Sequence, residues 1–264
     1  MIKVKNLIKM KHIWKIAFFF ILFSTNCNLA NCNSDPACKR ILFIGNSYTY
    51  INDLPGTLEK LADSGGFRME TGMSAQGGWT LADHLKSSDT IAQLENSKWN
   101  YIVLQEQSNI PASDPIRNSQ MYPAARKLTE KITKLGAKPI LFVTWGHQSG
   151  WPENSMPTYE SMQLALNYGY LTVGQQLNTT LAPVGFAWLF LRRNHSQLNL
   201  WQEDGSHPNE NGTYLAACVF YAVIFEKSPE GLNYHGQLSD ENAALIQKTA
   251  ADIVLTDKIR WNIP

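Results

Sequence analysis

Apolar residues in this chain come as short β-branched and aromatic runs, separated by stretches in which apolar positions recur at helical spacing. The sharpest run is Ile41–Ile44, preceded by Arg40 and followed at once by Gly45-Asn46-Ser47. It reads as a buried parallel strand that stops abruptly. Comparable runs predict strands at Phe67–Gly72, Tyr101–Leu104, Pro139–Thr144 and Leu181–Val184, the first of these interrupted by Arg68 and Glu70. Asn52 or Asp53, with Pro55 in the next turn, opens a helix to about Ser64 that Gly65-Gly66 ends. Further helical spacing covers Trp79–Leu85, about Gln120 to Leu135 with Gly136 as its stop, Met156–Leu177, the short stretch Ala187–Leu191, Glu210–Phe225 and Asp240–Leu255. Strand and helix alternate about five times without internal repeats. That order predicts a single α/β domain, a parallel five-stranded sheet covered by helices on both faces in three α/β/α layers.

Composition agrees with one large core. The 264 residues are 44% apolar and 17% charged, with formal net charge +1. A chain of this length buries roughly 70% of its unfolded surface. So small a net charge gives no electrostatic case for nucleic acid or an anionic membrane surface. The first residues stand apart. Lys3, Lys5, Lys9, Lys11 and Lys15 precede the apolar run Ile16–Phe23, the layout of a secretory signal peptide and well short of a membrane span. The expected division is a signal peptide over 1–30, cleaved near Ala30 or retained as an anchor, a linker over 31–39 and the folded domain over 40–264. The expected location is secreted, periplasmic or on the cell surface. Export permits disulfides, and Cys32 and Cys38 are close enough to pair, while Cys218, in an apolar helical run, reads as a buried thiol. No Cys/His spacing suggests a metal site.

Ligands in open α/β sheets bind beyond the carboxyl ends of the strands, which is where Ser47 falls. A serine hydroxyl is a weak nucleophile until a base takes its proton. The candidate base comes late, in Asp204-Gly205-Ser206-His207-Pro208. Asp204, three residues before His207, can accept a hydrogen bond from Nδ1–H and leave Nε2 free to take a hydroxyl proton.

Together, Gly45-Asn46-Ser47 after the first strand and Asp204-Gly205-Ser206-His207 before the last helices resemble the SGNH (GDSL-type) hydrolase superfamily. The resemblance implies a flavodoxin-like fold and serine esterase chemistry, with Ser47 as nucleophile, His207 as general base and Asp204 as its orienting carboxylate. It implies an oxyanion hole built from Ser47, a second-block glycine that matches Gly78 (Gly77 being the nearby alternative), and a third-block asparagine. This chain departs there. The family's Gly-x-Asn is replaced by Gln105-Glu106-Gln107-Ser108-Asn109, so the amide comes either from Asn109 or from Gln107. Asn46 stands where the family usually has Asp, a smaller departure. His147 follows the fourth strand and shares the active edge, either touching substrate or serving structure. Trp79, Trp145, Trp151 and Trp201 fall in or beside loops at that edge, where they form a sugar-stacking wall or pack in the core. The expected activity is an exported serine esterase acting on an acetyl or short acyl ester, perhaps on a carbohydrate, with Trp79, Trp145 and His147 touching substrate. No cofactor or metal is implied. The alternative is a catalytically weak surface or carbohydrate-binding protein on the same fold, or an anion binder using the first loop, which lacks P-loop glycines.

Overall fold

The computed structural model describes Cys32 and residues 35–264. The expected signal segment and linker positions 31, 33 and 34 lie outside those residues. The elements in chain order are β1 (Lys39–Gly45), α1 (Ser47–Tyr50), α2 (Leu54–Ser64), β2 (Met69–Ala75), α3 (Leu81–Lys86), α4 (Ser88–Glu95), β3 (Tyr101–Leu104), α5 (Asp114–Ile116), α6 (Tyr122–Lys134), β4 (Lys138–Phe142), α7 (Tyr159–Leu177), β5 (Thr180–Ala182), α8 (Val184–Asn194), α9 (Glu210–Phe225) and α10 (Asp240–Leu255). The strands form one sheet in the order β2-β1-β3-β4-β5, every pair parallel. Strand order reverses at β1/β3, so a crevice opens beyond their carboxyl ends, and Ser47 sits in it.

β1 lies inside the sheet, paired on one side with β2 and on the other with β3. Ile41, Leu42, Phe43 and Ile44 are fully buried, each worth about 1.5–3 kcal/mol relative to exposure. Helices cover both faces: α2, α8 and α10 pack on α9, while α3 packs on α6 and α6 on α7. From Gly212 to Ile224 every residue of α9 is buried, which explains its apolar character on all sides. Cys32 and Cys38 are joined by a disulfide with Cα atoms 5.3 Å apart, and Cys218 is a buried free thiol whose pKa burial pushes up. Among the described residues no helix is long and apolar enough to cross a membrane.

Element limits move where tertiary pairing overrides local pattern. β2 runs to Ala75 rather than stopping at Gly72, because parallel pairing with β1 continues to Gly45 opposite Ala75. As an edge strand it needs no continuous apolar run. β4 ends at Phe142 and β5 at Ala182, and α8 then runs over Val184–Asn194 from an N-cap at Pro183, longer than the helical stretch Ala187–Leu191 that was expected. α7 begins at Tyr159, not Met156, because Trp151 pairs with Met156 in an isolated bridge and Thr158 caps the helix with Ser161. α6 begins at Tyr122 behind a π turn over Arg117–Met121. α4, short and polar, had no counterpart among the expected elements.

Candidate active site

Ser47, the candidate nucleophile, stands one residue past the N-cap of α1. Asn46 caps that turn, its Oδ1 accepting from Tyr48 N–H at 3.1 Å, and Ser47 is the first helical residue. Its N–H therefore has no acceptor within the helix and remains available as a donor. The approach to Ser47 is crowded. A Cβ on Gly45 would lie 2.5 Å from both Gln105 Oε1 and Thr49 Oγ1, so only glycine lets the strand end so close to its neighbour. Gln105 Oε1 accepts from Asn46 N–H at 2.8 Å and from the Thr49 hydroxyl at 2.9 Å.

His207 reaches Ser47 from 160 residues away, with 2.9 Å between Nε2 and Oγ. On its other side, Nδ1 is hydrogen-bonded to Asp204 Oδ2. With Nδ1–H donating to the carboxylate, Nε2 is the acceptor and the Ser47 hydroxyl donates to it. The turn that arranges this is local. Asp204 Oδ1 accepts from the N–H groups of Ser206 and His207, both at 2.9 Å, while Gly205 takes φ of +66°. Burial works upward on the Asp204 carboxyl, but the His207 hydrogen bond and the two backbone N–H groups outweigh it and lower its pKa to about 2. Longer bonds dock the turn: Trp145 Nε1–H to Ser206 O at 3.0 Å, and Asn52 Nδ2–H to Pro208 O at 2.9 Å and to Thr213 Oγ1 at 3.1 Å.

On the expected oxyanion side, Gly78 holds φ of +73° in a tight turn closed by Trp79 N–H to Gln76 O. That positive φ, rather than any lack of space, is why glycine stands there, since its Cβ would meet nothing within 4 Å. Gly77 has no such requirement. Asn46 Nδ2–H donates to Trp79 O at 2.9 Å and ties this turn to the nucleophile. Gln107 and Asn109 differ in what they have left to offer. Gln107 Oε1 accepts from Asn109 N–H at 2.8 Å and its Nε2 donates to Ser108 Oγ, so both ends of its amide are engaged within the loop. Asn109 has its Oδ1 buried without a partner, and no hydrogen bond to another described residue uses its Nδ2. The free donor is Asn109.

Behind these loops lies a polar layer that sequence reasoning missed. Glu106 is fully buried; its Oε1 accepts from Leu81 N–H at 3.2 Å and Gln107 N–H at 2.7 Å, and its Oε2 has no partner. His84, also fully buried, donates Nε2–H to Gly45 O at 2.7 Å and accepts at Nδ1 from Thr90, which fixes its tautomer. Burial lowers its pKa and keeps it neutral. The one available signal was polar residues placed directly after a buried strand without turn-forming Gly or Pro.

The aromatic expectation needs correction. Trp145 is fully buried, stacked between Tyr48 at 4.6 Å and Trp188 at 4.2 Å, and its indole N–H is spent on Ser206. It supports the catalytic turn from below and has no face left for substrate. Trp201 is buried in the same cluster, with its N–H donated to Gly146 O. Only Trp79 and Trp151 stay half-buried, Trp79 resting its ring edge against His84. His147 is half-buried at the rim, with Nε2 3.3 Å from Ser108 Oγ. Burial lowers its pKa, and it lies near enough to Asp204 and His207 to feel both charges.

A parallel sheet of this order, with a serine, a histidine and an aspartate linked in series at its switch point, defines the class of flavodoxin-like serine hydrolases. Solved structures agree. A protein from Slackia heliotrinireducens assigned to the SGNH hydrolases superposes with TM-score 0.61 at 29% identity, over 71% of this chain and 99% of that one. A DUF4886 family protein from Bacteroides uniformis gives TM-score 0.70 at 18% identity, over 83% and 95% of the two chains. Axe2, an acetylxylan esterase from Geobacillus stearothermophilus, gives 0.51 at 17% identity, over 69% and 92%. No family model and no curated protein matches the chain. These neighbours support a place for the chain in the SGNH (GDSL-type) hydrolase superfamily.

Proposed function

We propose that this protein is an exported serine esterase that removes an acetyl or other short acyl group from a carbohydrate or small-molecule ester. The observation that carries the reading is the 2.9 Å hydrogen bond between Ser47 Oγ and His207 Nε2, with Asp204 on the far side of the imidazole. In this mechanism Ser47 Oγ attacks the ester carbonyl carbon while its proton passes to His207 Nε2, and the ionised Asp204 stabilises the imidazolium. The developing oxyanion lies against the N–H groups of Ser47 and Gly78 and the Asn109 side-chain amide. Collapse breaks the C–O bond, His207 returns the proton to the departing alcohol, and the acyl group stays on Ser47. Water, activated by the same imidazole, then releases the acid.

The substrate class draws support from the half-buried faces of Trp79 and Trp151, from His147 at the rim beside Ser108, and from the activity carried in the name of the Geobacillus neighbour. Export draws support from the lysine-led apolar segment at the start of the chain and from the Cys32–Cys38 disulfide. The test is a fluorophosphonate or sulfonyl fluoride probe followed by peptide mapping. Ser47 is the labelled residue, and Ser47→Ala abolishes labelling and lowers p-nitrophenyl acetate hydrolysis by about 10⁴-fold. A folded protein that takes no label leaves the carbohydrate-binding alternative in place.

A further inference from the structure

We propose that Glu106 is a positioning residue of this site, clamping the loop that carries Gly78 to the loop that carries Asn109 so that the two donors converge. The proposal rests on the hydrolase reading above. A carboxylate cannot donate to an oxyanion, so Glu106 acts through the backbone it holds. One oxygen, Oε1, takes the N–H of Leu81 from the second-block side and the N–H of Gln107 from the third-block side. Leu81 in turn follows Thr80, locked to Asp83 in a reciprocal cap at the start of α3, and Trp79, whose carbonyl is held by Asn46. Gln107 is the residue whose side chain holds Asn109 N–H. A single buried atom therefore joins both donor loops, which are otherwise separate pieces of chain.

What distinguishes Glu106 from an ordinary structural bond is its cost. Among the described residues it has no basic partner, and the charge that acts on it, Asp83 on α3, is repulsive. Oε2 is buried and accepts nothing. Burial, with Asp83 adding to it, pushes the carboxyl up to about 7 against the two N–H groups that favour its charge. An apolar side chain would spare the fold an orphaned polar oxygen. The gain that offsets this is geometric, at the loops around Ser47.

The test compares the wild type, Glu106→Gln, Glu106→Ala and Glu106→Asp on p-nitrophenyl acetate, with kcat and KM separated and melting temperatures recorded. Glu106→Ala loses about 30-fold in kcat with KM within about twofold, the pattern of a lost transition-state interaction. Glu106→Gln keeps an oxygen in the Oε1 position and recovers kcat to within about fivefold of the wild type. Where Glu106→Ala does not fold, Glu106→Asp, too short to span both N–H groups, shows the same selective fall. A folded Ala or Asp variant with wild-type kcat, or one in which only KM rises, overturns the proposal. A wild type inert to both ester and probe overturns the hydrolase reading and this proposal with it; an active wild type with unaffected variants overturns this one alone.

Discussion

The Asp204–His207 turn closes on itself within four residues, through Asp204 Oδ1 and the left-handed Gly205, and remains partly exposed, the His207 side chain at 29% and that of Asp204 at 46%. The loop bearing Gly78 closes through side chains from elsewhere in the chain, Asn46 and Glu106, while Gln107 braces the Asn109 loop from within, and Glu106 is buried completely. In the proposed mechanism, proton transfer falls to a local motif that tolerates solvent, and oxyanion binding to a layer that is buried and assembled from several segments. The two halves also respond oppositely to pH. Asp204 is held below the ordinary carboxylate range by its partners, whereas Glu106 is held above it by burial.

The difference can be broken at the proton-transfer end first. Asp204→Asn leaves the turn a side-chain oxygen but removes the charge that sets the His207 tautomer, and kcat/KM falls by about 10³-fold or more with little change in KM. Steady-state kinetics above pH 7 measure it. At the other end, Asn109→Ala lowers kcat by about 10²-fold, whereas Gln107→Ala, which removes a loop brace and no free donor, costs less than about tenfold. Equal losses from the two would erase the distinction drawn between their amides.

The smallest effect is on stability, read by thermal melts across pH. Glu106 has its folded pKa raised, so the unfolded chain ionises first; stability falls as pH rises from its ordinary value to about 7 and stays lower above that. Glu106→Gln removes this slope, worth on the order of 3 kcal/mol. Asp204 works the other way. Its contribution is complete above its ordinary pKa and is lost as pH falls toward about 2. Asp204→Asn therefore flattens only the acid end of the profile.

How legible each part was follows the range of the interactions that made it. The strand β1, its stop at Gly45-Asn46 and the long helices α9 and α10 were written in apolar spacing and caps, because those signals act within a few residues. The triad was visible as two motifs, since Asp204, Gly205 and His207 form their turn locally. Trp145 was misread because a tryptophan in a loop after a strand carries no mark saying which way its ring turns. Only the stack of Tyr48, Trp145 and Trp188 settles that. Gln105 and Glu106 looked like an ordinary polar loop for the same reason.

The sequence alone determined an alternating α/β chain, a serine at the end of its central strand and an aspartate–histidine turn poised to serve it, because periodicity and tight turns are short-range physics. Tertiary structure decided what brings those pieces to 2.9 Å, which amide is left free to donate, and that a carboxylate lies buried behind the donor loops. The first depends on a contact across 160 positions, the second on how a short loop is held in place, and burial is a property of the assembled molecule that no local stretch of chain encodes by itself.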